Sequence, residues 1–231
     1  MYFTVGLKTF IDISTYCNAG CPKCHRTDIN GLGKVDWLPL VQWDLETFKN
    51  AYKLEDNPYL YDVFEICGTW GDPVMNKDLT SIVKYIIDNS KAKIIIDTNG
   101  SIRDEEWWWN LGCIGGRRLT VVFAIDGTTQ EMHAHYRRNT DLKKILNNLK
   151  SLSSTLARAS VHTIVFKHNE SHLDNIAEMS KKYGAKQINY TPSNRAFDVD
   201  DKFKFTDSEG IKQFLEKSYK YTKRINNAYK M

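Results

Sequence analysis

Residues 79–98 read LTSIVKYIIDNSKAKIIIDT. Leu79, Ile82, Val83, Ile86 and Ile87 recur at three- and four-residue steps, which places them along one side of a helix. Asn76, just ahead of them, carries a side-chain oxygen suited to capping a helix that runs through about Asn89. Residues 93–97, KIIID, are then apolar in an unbroken run, the composition of a strand covered on both faces in a parallel sheet. A helical stripe followed by a buried strand is one half of a βα repeat.

The same pattern extends in both directions. Upstream, TFIDIST (9–15) reads as a strand, Asp44 to Leu54 as a helix through Leu45, Phe48 and Tyr52, and VFEIC (63–67) as a second strand. Downstream come a short helix around Glu105 to Leu111, LTVVFAI (119–125), a helix from Asp141 to Leu156, VHTIVF (161–166), a helix from Leu173 to Tyr183 stopped by Gly184, and QINYT (187–191). Six strands alternating with helices require right-handed crossovers and parallel pairing, with ligands at the carboxyl ends of the strands. An open sheet and a partial barrel use the same connections, so the pattern alone leaves both open. The organisation expected is a core over 1–192 and a C-terminal helical extension, 193–231, packed on it. Its helix is expected from about Ser208, with Lys212, Lys217, Lys220, Lys223 and Arg224 on a solvated face.

The chain has 231 residues, 42% apolar and 26% charged, which is ordinary globular usage and excludes a disordered or collagen-like polymer. At roughly 150 residues per domain this is one domain with additions. A net charge of +4 is too mild to argue for nucleic acid as a partner. No window approaches a membrane span, and the first residues lack a signal-peptide layout, so a cytoplasmic protein is expected.

Three of the five cysteines fall within eight residues, in Cys17-Asn18-Ala19-Gly20-Cys21-Pro22-Lys23-Cys24-His25. Crowding of this kind argues for a metal centre rather than disulfides. Soft thiolates spaced C-x3-C-x2-C on the loop after the first strand suit zinc or an iron–sulfur cluster. Zinc would need a fourth ligand, and His25, adjacent to Cys24, would strain a tetrahedral cage. A 4Fe-4S cluster held by three thiolates leaves one iron open for chemistry.

This motif, so placed, resembles the radical S-adenosylmethionine (radical SAM) superfamily over about residues 9–192. The resemblance implies a partial (βα)6 TIM-like barrel with parallel strands. It also implies an enzyme in which Cys17, Cys21 and Cys24 hold a 4Fe-4S cluster and S-adenosylmethionine chelates the open iron. In that family reductive cleavage of the cofactor yields a 5′-deoxyadenosyl radical that takes hydrogen from substrate. Trp70-Gly71-Asp72-Pro73 resembles the GGEP motif, which implies Gly71, Asp72 and Pro73 as cofactor-binding residues, with Asp72 offered to the methionine ammonium. Thr98-Asn99-Gly100 is similar to the family's TNG, near ribose or carboxylate. Ala124-Ile125-Asp126-Gly127 and Tyr136-Arg137 resemble the S-x-D-G and Y-R pair of the peptide-modifying SPASM/twitch branch, which implies Asp126 and Arg137 as cofactor-binding residues, with Arg137 offered to the cofactor carboxylate. Lys23 stands where the family commonly has an aromatic residue near adenine, so another surface is needed, for which Tyr190 to Pro192 is a candidate.

No cysteine follows Cys113, so the auxiliary clusters of that branch are not expected. Cys67 reads as a buried small hydrophobe and Cys113 as inert. His133 and His135 read as a solvated helix face. Trp107, Trp108 and Trp109 cannot share one helix face, so at least one is exposed or covers a partner. The substrate expected is a peptide or protein, or else a small molecule, with an electron donor such as a flavodoxin or ferredoxin. Glycyl-radical activation and nucleoside or tRNA modification are the other enzyme readings, and a zinc-stabilised binding module is the reading from another class.

Overall fold

The computed structural model describes residues 6–193 and 197–219. Its elements run β1 (Leu7–Ile11), α1 (Leu45–Tyr52), β2 (Tyr61–Ile66), α2 (Leu79–Asn89), β3 (Lys93–Thr98), α3 (Glu105–Gly115), β4 (Leu119–Ala124), α4 (Gln130–Ala134), α5 (Leu142–Ser153), β5 (Arg158–Val165), α6 (Leu173–Lys182) and β6 (Gln187–Pro192). A hairpin, β7 (Lys202–Thr206) with β8 (Lys212–Glu216), follows.

The six strands are parallel and ordered β1-β2-β3-β4-β5-β6. Right-handed crossovers that always step the same way put every helix on one face, and the twisted sheet curls around the other. This is the partial TIM-like barrel. Neighbouring helices pack on one another, α1 on α2, α2 on α3 and α3 on α5.

Between helices and sheet lies the main core. Phe64, Ile66, Ile94, Ile96, Val121, Phe123 and Val161 point to the helices and are wholly buried, meeting Phe48, Ile82, Ile86, Leu111 and Leu149. Each such side chain contributes about 1.5–3 kcal/mol of transfer free energy. The tryptophan run divides as its geometry requires: Trp108 is wholly buried, with Nε1 donating to the Ile102 carbonyl, while Trp109 is 49% exposed. Asp44, Asp104, Thr129 and Asp141 cap α1, α3, α4 and α5 by accepting backbone N–H bonds. Gly184 ends α6 at φ +103, where a Cβ would meet Ser153 Oγ at 2.1 Å.

Several local expectations are corrected. Asn76 does not cap α2, which begins at Leu79; its amide donates instead to the carbonyls of Ile13 and Trp43, both at 2.8 Å, tying the loop to the exit from β1. Strand pairing of β1 ends at Ile11, four residues short of the end of the run expected to form it. His133 is wholly buried rather than solvated: Nδ1 accepts from the Asp126 N–H and Nε2 meets Thr140 Oγ1 at 3.0 Å.

Over residues 208–218 the helix expected from Ser208 is not formed, and a hairpin strand takes its place. Phe203 and Phe205 on one strand and Leu215 on the other follow a period of two, and Asp207 Oδ1 accepts from the N–H groups of Glu209 and Ile211 to close the turn. Phe205 and Leu215 are buried against Ala19, Cys21, Tyr136 and Phe166, so the hairpin covers the loop after β1. Lys220, Lys223 and Arg224 lie outside the described residues.

Candidate functional site

The chain leaving β1 makes two tight turns, Cys24 N–H to the Cys21 carbonyl at 2.9 Å and Thr27 N–H to the Cys24 carbonyl at 3.0 Å. These wind Cys17, Cys21 and Cys24 onto one wall of a cavity of about 560 Å³ at the carboxyl ends of the strands. All three are free thiols. Burial pushes the Cys17 thiol up to about 12 and Cys21 up to about 11, so binding a metal centre must displace protons. Arg26 opposes the rise at Cys17 and Arg137 opposes it at Cys21. His25 is exposed, its ring 6.1 Å from that of Trp70, and it does not line the cavity. The donor set facing the cavity from this loop is therefore three sulfurs without an imidazole, which fits a three-thiolate cluster and not a closed zinc cage.

The loops after β2 and β3 are bound together behind this wall. Asp72, 2% exposed, accepts from Val74 N–H at 3.0 Å, Asn99 N–H at 2.8 Å and the Thr98 hydroxyl at 2.9 and 3.0 Å. Burial raises its pKa above the ordinary value while these donors work against the rise. Gly71 is needed here for a backbone reason: a Cβ on it would lie 2.1 Å from the Ser14 carbonyl oxygen. That contact lets Asp72 N–H reach the Tyr16 carbonyl at 2.7 Å. The Asn99 amide donates to Asn18 Oδ1 at 2.9 Å and lies 3.8 Å from Cys17 Sγ.

After β4, Asp126 is wholly buried. Its Oδ2 pairs with Arg137 Nε at 2.6 Å and its Oδ1 accepts from Ile164 N–H at 2.7 Å. Burial works against the Arg137 charge, but Asp126 and Cys21 outweigh it, so the guanidinium stays protonated.

The structure thus gathers Gly71, Asp72, Thr98, Asn99 and Arg137 with the three cysteines around one cavity. Pro73 and Asp126 are set back from it. Pro73 starts a buried 3-10 turn, Pro73–Met75, and Asp126 reaches the cavity only through Arg137. Tyr190 turns away too, donating to the Leu173 carbonyl at 2.9 Å against the helix layer. Lys23 is buried with its ammonium 3.8 Å from the Phe197 ring and 4.5 Å from that of Phe203, so it pins the hairpin segment to the cysteine loop.

Four cavity residues escaped the reading of motifs. Arg26 is adjacent to the cysteines, while Glu65, Asp97 and His162 face inward on β2, β3 and β5. Cys67 joins them half-buried on the wall, rather than in the core. Ligand atoms of Glu65, Cys67 and Asp97 lie within 4.8 Å of one another. Burial first, then Glu65, pushes Asp97 up to about 6. Alternation along β5 was the available signal for His162: Val161 and Thr163 are buried toward the helices, so His162 and Ile164 must face the other way.

Residues 11–180 match the Radical SAM superfamily. The chain belongs to this superfamily, and its cofactors are accordingly a 4Fe-4S cluster and S-adenosylmethionine. It is 26% identical over 192 residues to a cysteine-type anaerobic sulfatase-maturating enzyme of Clostridium novyi (strain NT), covering 78% of this chain and 49% of that protein. It is 24% identical over 191 residues to the mycofactocin maturase MftC of Mycobacterium ulcerans (strain Agy99), covering 81% and 48%. The chain spans about half the length of these relatives. In structure it is similar to Streptococcus suis SuiB bound to S-adenosylmethionine, with a TM-score of 0.68 and 14% identity over 97% of this chain and 47% of that one. Native anSMEcpe with bound AdoMet gives a TM-score of 0.60 at 16% identity, over 80% and 51%. Among the described residues no helix is long and apolar enough to cross a membrane.

Proposed function

We propose that this chain is the catalytic core of a radical SAM enzyme that modifies a peptide or protein. The observation that carries the reading is the convergence of three thiols from one loop with Arg137 and the loops after β2 and β3 on a single cavity. The chemistry supplied there by the bound cofactors is reductive cleavage of S-adenosylmethionine and abstraction of hydrogen from substrate.

The chain's own residues hold and orient. Cys17, Cys21 and Cys24 hold the cluster. Arg137, fixed through Nε by Asp126, presents its remaining N–H groups to the cofactor carboxylate. Asp72 uses three protein donors of the roughly four a carboxylate can accept and offers the last position to the methionine ammonium. Thr98 and Asn99 act by fixing that carboxylate and the Asn18–Cys17 segment. Val122, Ala124 and Ile164 give the β4–β5 wall an apolar surface that excludes water from a reactive intermediate.

A peptide substrate is supported by the relatives. Two are named as maturases, SuiB is known with its precursor peptide SuiA, and anSMEcpe with the Kp18Cys peptide. The electron donor is proposed to be a flavodoxin or ferredoxin and the compartment the cytoplasm, where thiols stay reduced.

The test is anaerobic reconstitution with iron and sulfide, reduction by dithionite, and chromatography for 5′-deoxyadenosine after adding S-adenosylmethionine. Product that depends on all three cysteines is expected. A colourless protein that takes up zinc instead would overturn the reading.

A further inference from the structure

Two arginines line the cavity beside the cysteines, Arg26 buried and Arg137 half-buried, and among the described residues only Arg137 has a counter-charge. Arg137 is neutralised by Asp126. Arg26, 7% exposed and two residues past Cys24, donates through one Nη to the Thr15 carbonyl at 3.3 Å, while its Nε is buried without a hydrogen-bond partner. No ion pair forms to Arg26 among the described residues. A buried guanidinium with an unused N–H and no anion is costly, and a folded protein keeps one where an anion completes it.

The acids on the same cavity are otherwise engaged or remote. Asp72 is engaged by Val74, Thr98 and Asn99, and Glu65 pairs with Lys8 at 2.7 Å. Asp97 clusters with Glu65 and Cys67 on the β2–β3 wall. Arg26 shares the cavity wall with the three cysteines, and its charge acts on Cys17, while Arg137 acts on Cys21.

We propose that Arg26 is the counter-cation of the iron–sulfur cluster, a positioning residue for charge that sets the cluster's reduction potential. This rests on the reading that Cys17, Cys21 and Cys24 hold a 4Fe-4S cluster. Reduction adds one electron from the donor and makes the cluster with its thiolates one charge more negative. A nearby cation stabilises the reduced form more than the oxidised form, so it raises the potential. Because Arg26 is buried, salt screens this effect weakly.

The experiment uses the full chain as wild type, Arg26→Gln and Arg26→Lys, reconstituted anaerobically. The cluster is titrated with dithionite under potentiometric control and read by electron paramagnetic resonance, without S-adenosylmethionine. Arg26→Gln is expected to keep its iron content and show a midpoint more negative than wild type, with Arg26→Lys returning most of the way. The cluster-free Arg26→Gln protein is expected to melt no lower than the wild type, because it has lost an uncompensated buried charge. A variant that melts like wild type yet takes up no iron also supports the proposal, since the anionic centre then needs the cation to assemble.

Three results overturn it. They are equal midpoints at equal iron content, a cluster-free Arg26→Gln protein that melts lower than wild type and so shows a structural role through Thr15, and an unchanged midpoint with weakened S-adenosylmethionine binding. If the wild type itself assembles no cluster, the proposed function falls and this inference with it; equal midpoints in iron-loaded proteins sink this inference alone.

Discussion

Along β2 to β5 the residues that face the helices are predominantly apolar, whereas those that face the cavity mix acids and a histidine with an apolar patch from β4 and β5. Phe64, Ile96, Val121, Phe123 and Val161 are apolar and wholly buried, while their alternating neighbours include Glu65, Asp97, Val122 and His162. The cause is the winding. With every crossover stepping the same way, helices cover one face only, and the inner face is left to line the cavity with the loops that follow the strands. Stability is concentrated on the outer face and chemistry on the inner one. A substitution should therefore damage one property far more than the other.

The largest effect expected is on chemistry alone. Cys21→Ala should lose the cluster and all cleavage of S-adenosylmethionine while the cluster-free protein melts close to wild type; iron analysis and calorimetry check both halves. Phe123→Ala tests the opposite face. Phe123 is wholly buried, with its ring centroid 5.0 Å from that of Trp108. Truncation should cost about 3–5 kcal/mol in denaturant unfolding, and a loss below 1 kcal/mol would break the contrast.

Asp72→Asn lies where the two faces meet. It replaces an acceptor of three protein donors, so a loss of about 1–3 kcal/mol is expected together with weaker S-adenosylmethionine binding by calorimetry. If binding weakens at unchanged stability, the clamp between the loops after β2 and β3 is not what Asp72 supplies.

The smallest effect sharpens the comparison on the inner wall. Asp97 is held up to about 6, above its ordinary value of 3.8, by burial and by Glu65. The fold favours its protonated form, so this group's contribution to stability is present below about pH 4 and declines as pH rises toward 6. Asp97→Asn should match wild type in melting temperature near pH 4 and exceed it at pH 7. A difference that does not vary across that window would show that Asp97 is not strained by its neighbours.

How much was legible in the chain follows from the range of each signal. Leu79 to Ile87 mark α2 because a helix repeats within a few residues, and KIIID marks β3 for the same local reason. Cys17, Cys21 and Cys24 were identifiable because one short loop carries all three. The tail is less legible, because two strands of five residues each repeat too few times for the alternation of Phe203, Phe205 and Leu215 to stand out. What chose the hairpin was burial of Phe205 and Leu215 against Ala19, Tyr136 and Phe166, residues far away in sequence.

By itself, then, the sequence determined the repeating βα units, their order and the clustering of three cysteines on the loop after β1, since periodicity and loop spacing are properties of neighbouring residues. Only the tertiary structure decided that Asp126 serves Arg137, that Asp72 is engaged by Val74, Thr98 and Asn99, that Lys23 holds the hairpin, and that Arg26 is buried beside the cysteines with no ion pair among the described residues. Those roles depend on which groups the curled sheet brings within hydrogen-bond reach, and on which charges it buries without a partner. Distance and desolvation of that kind exist only once the chain has closed on itself.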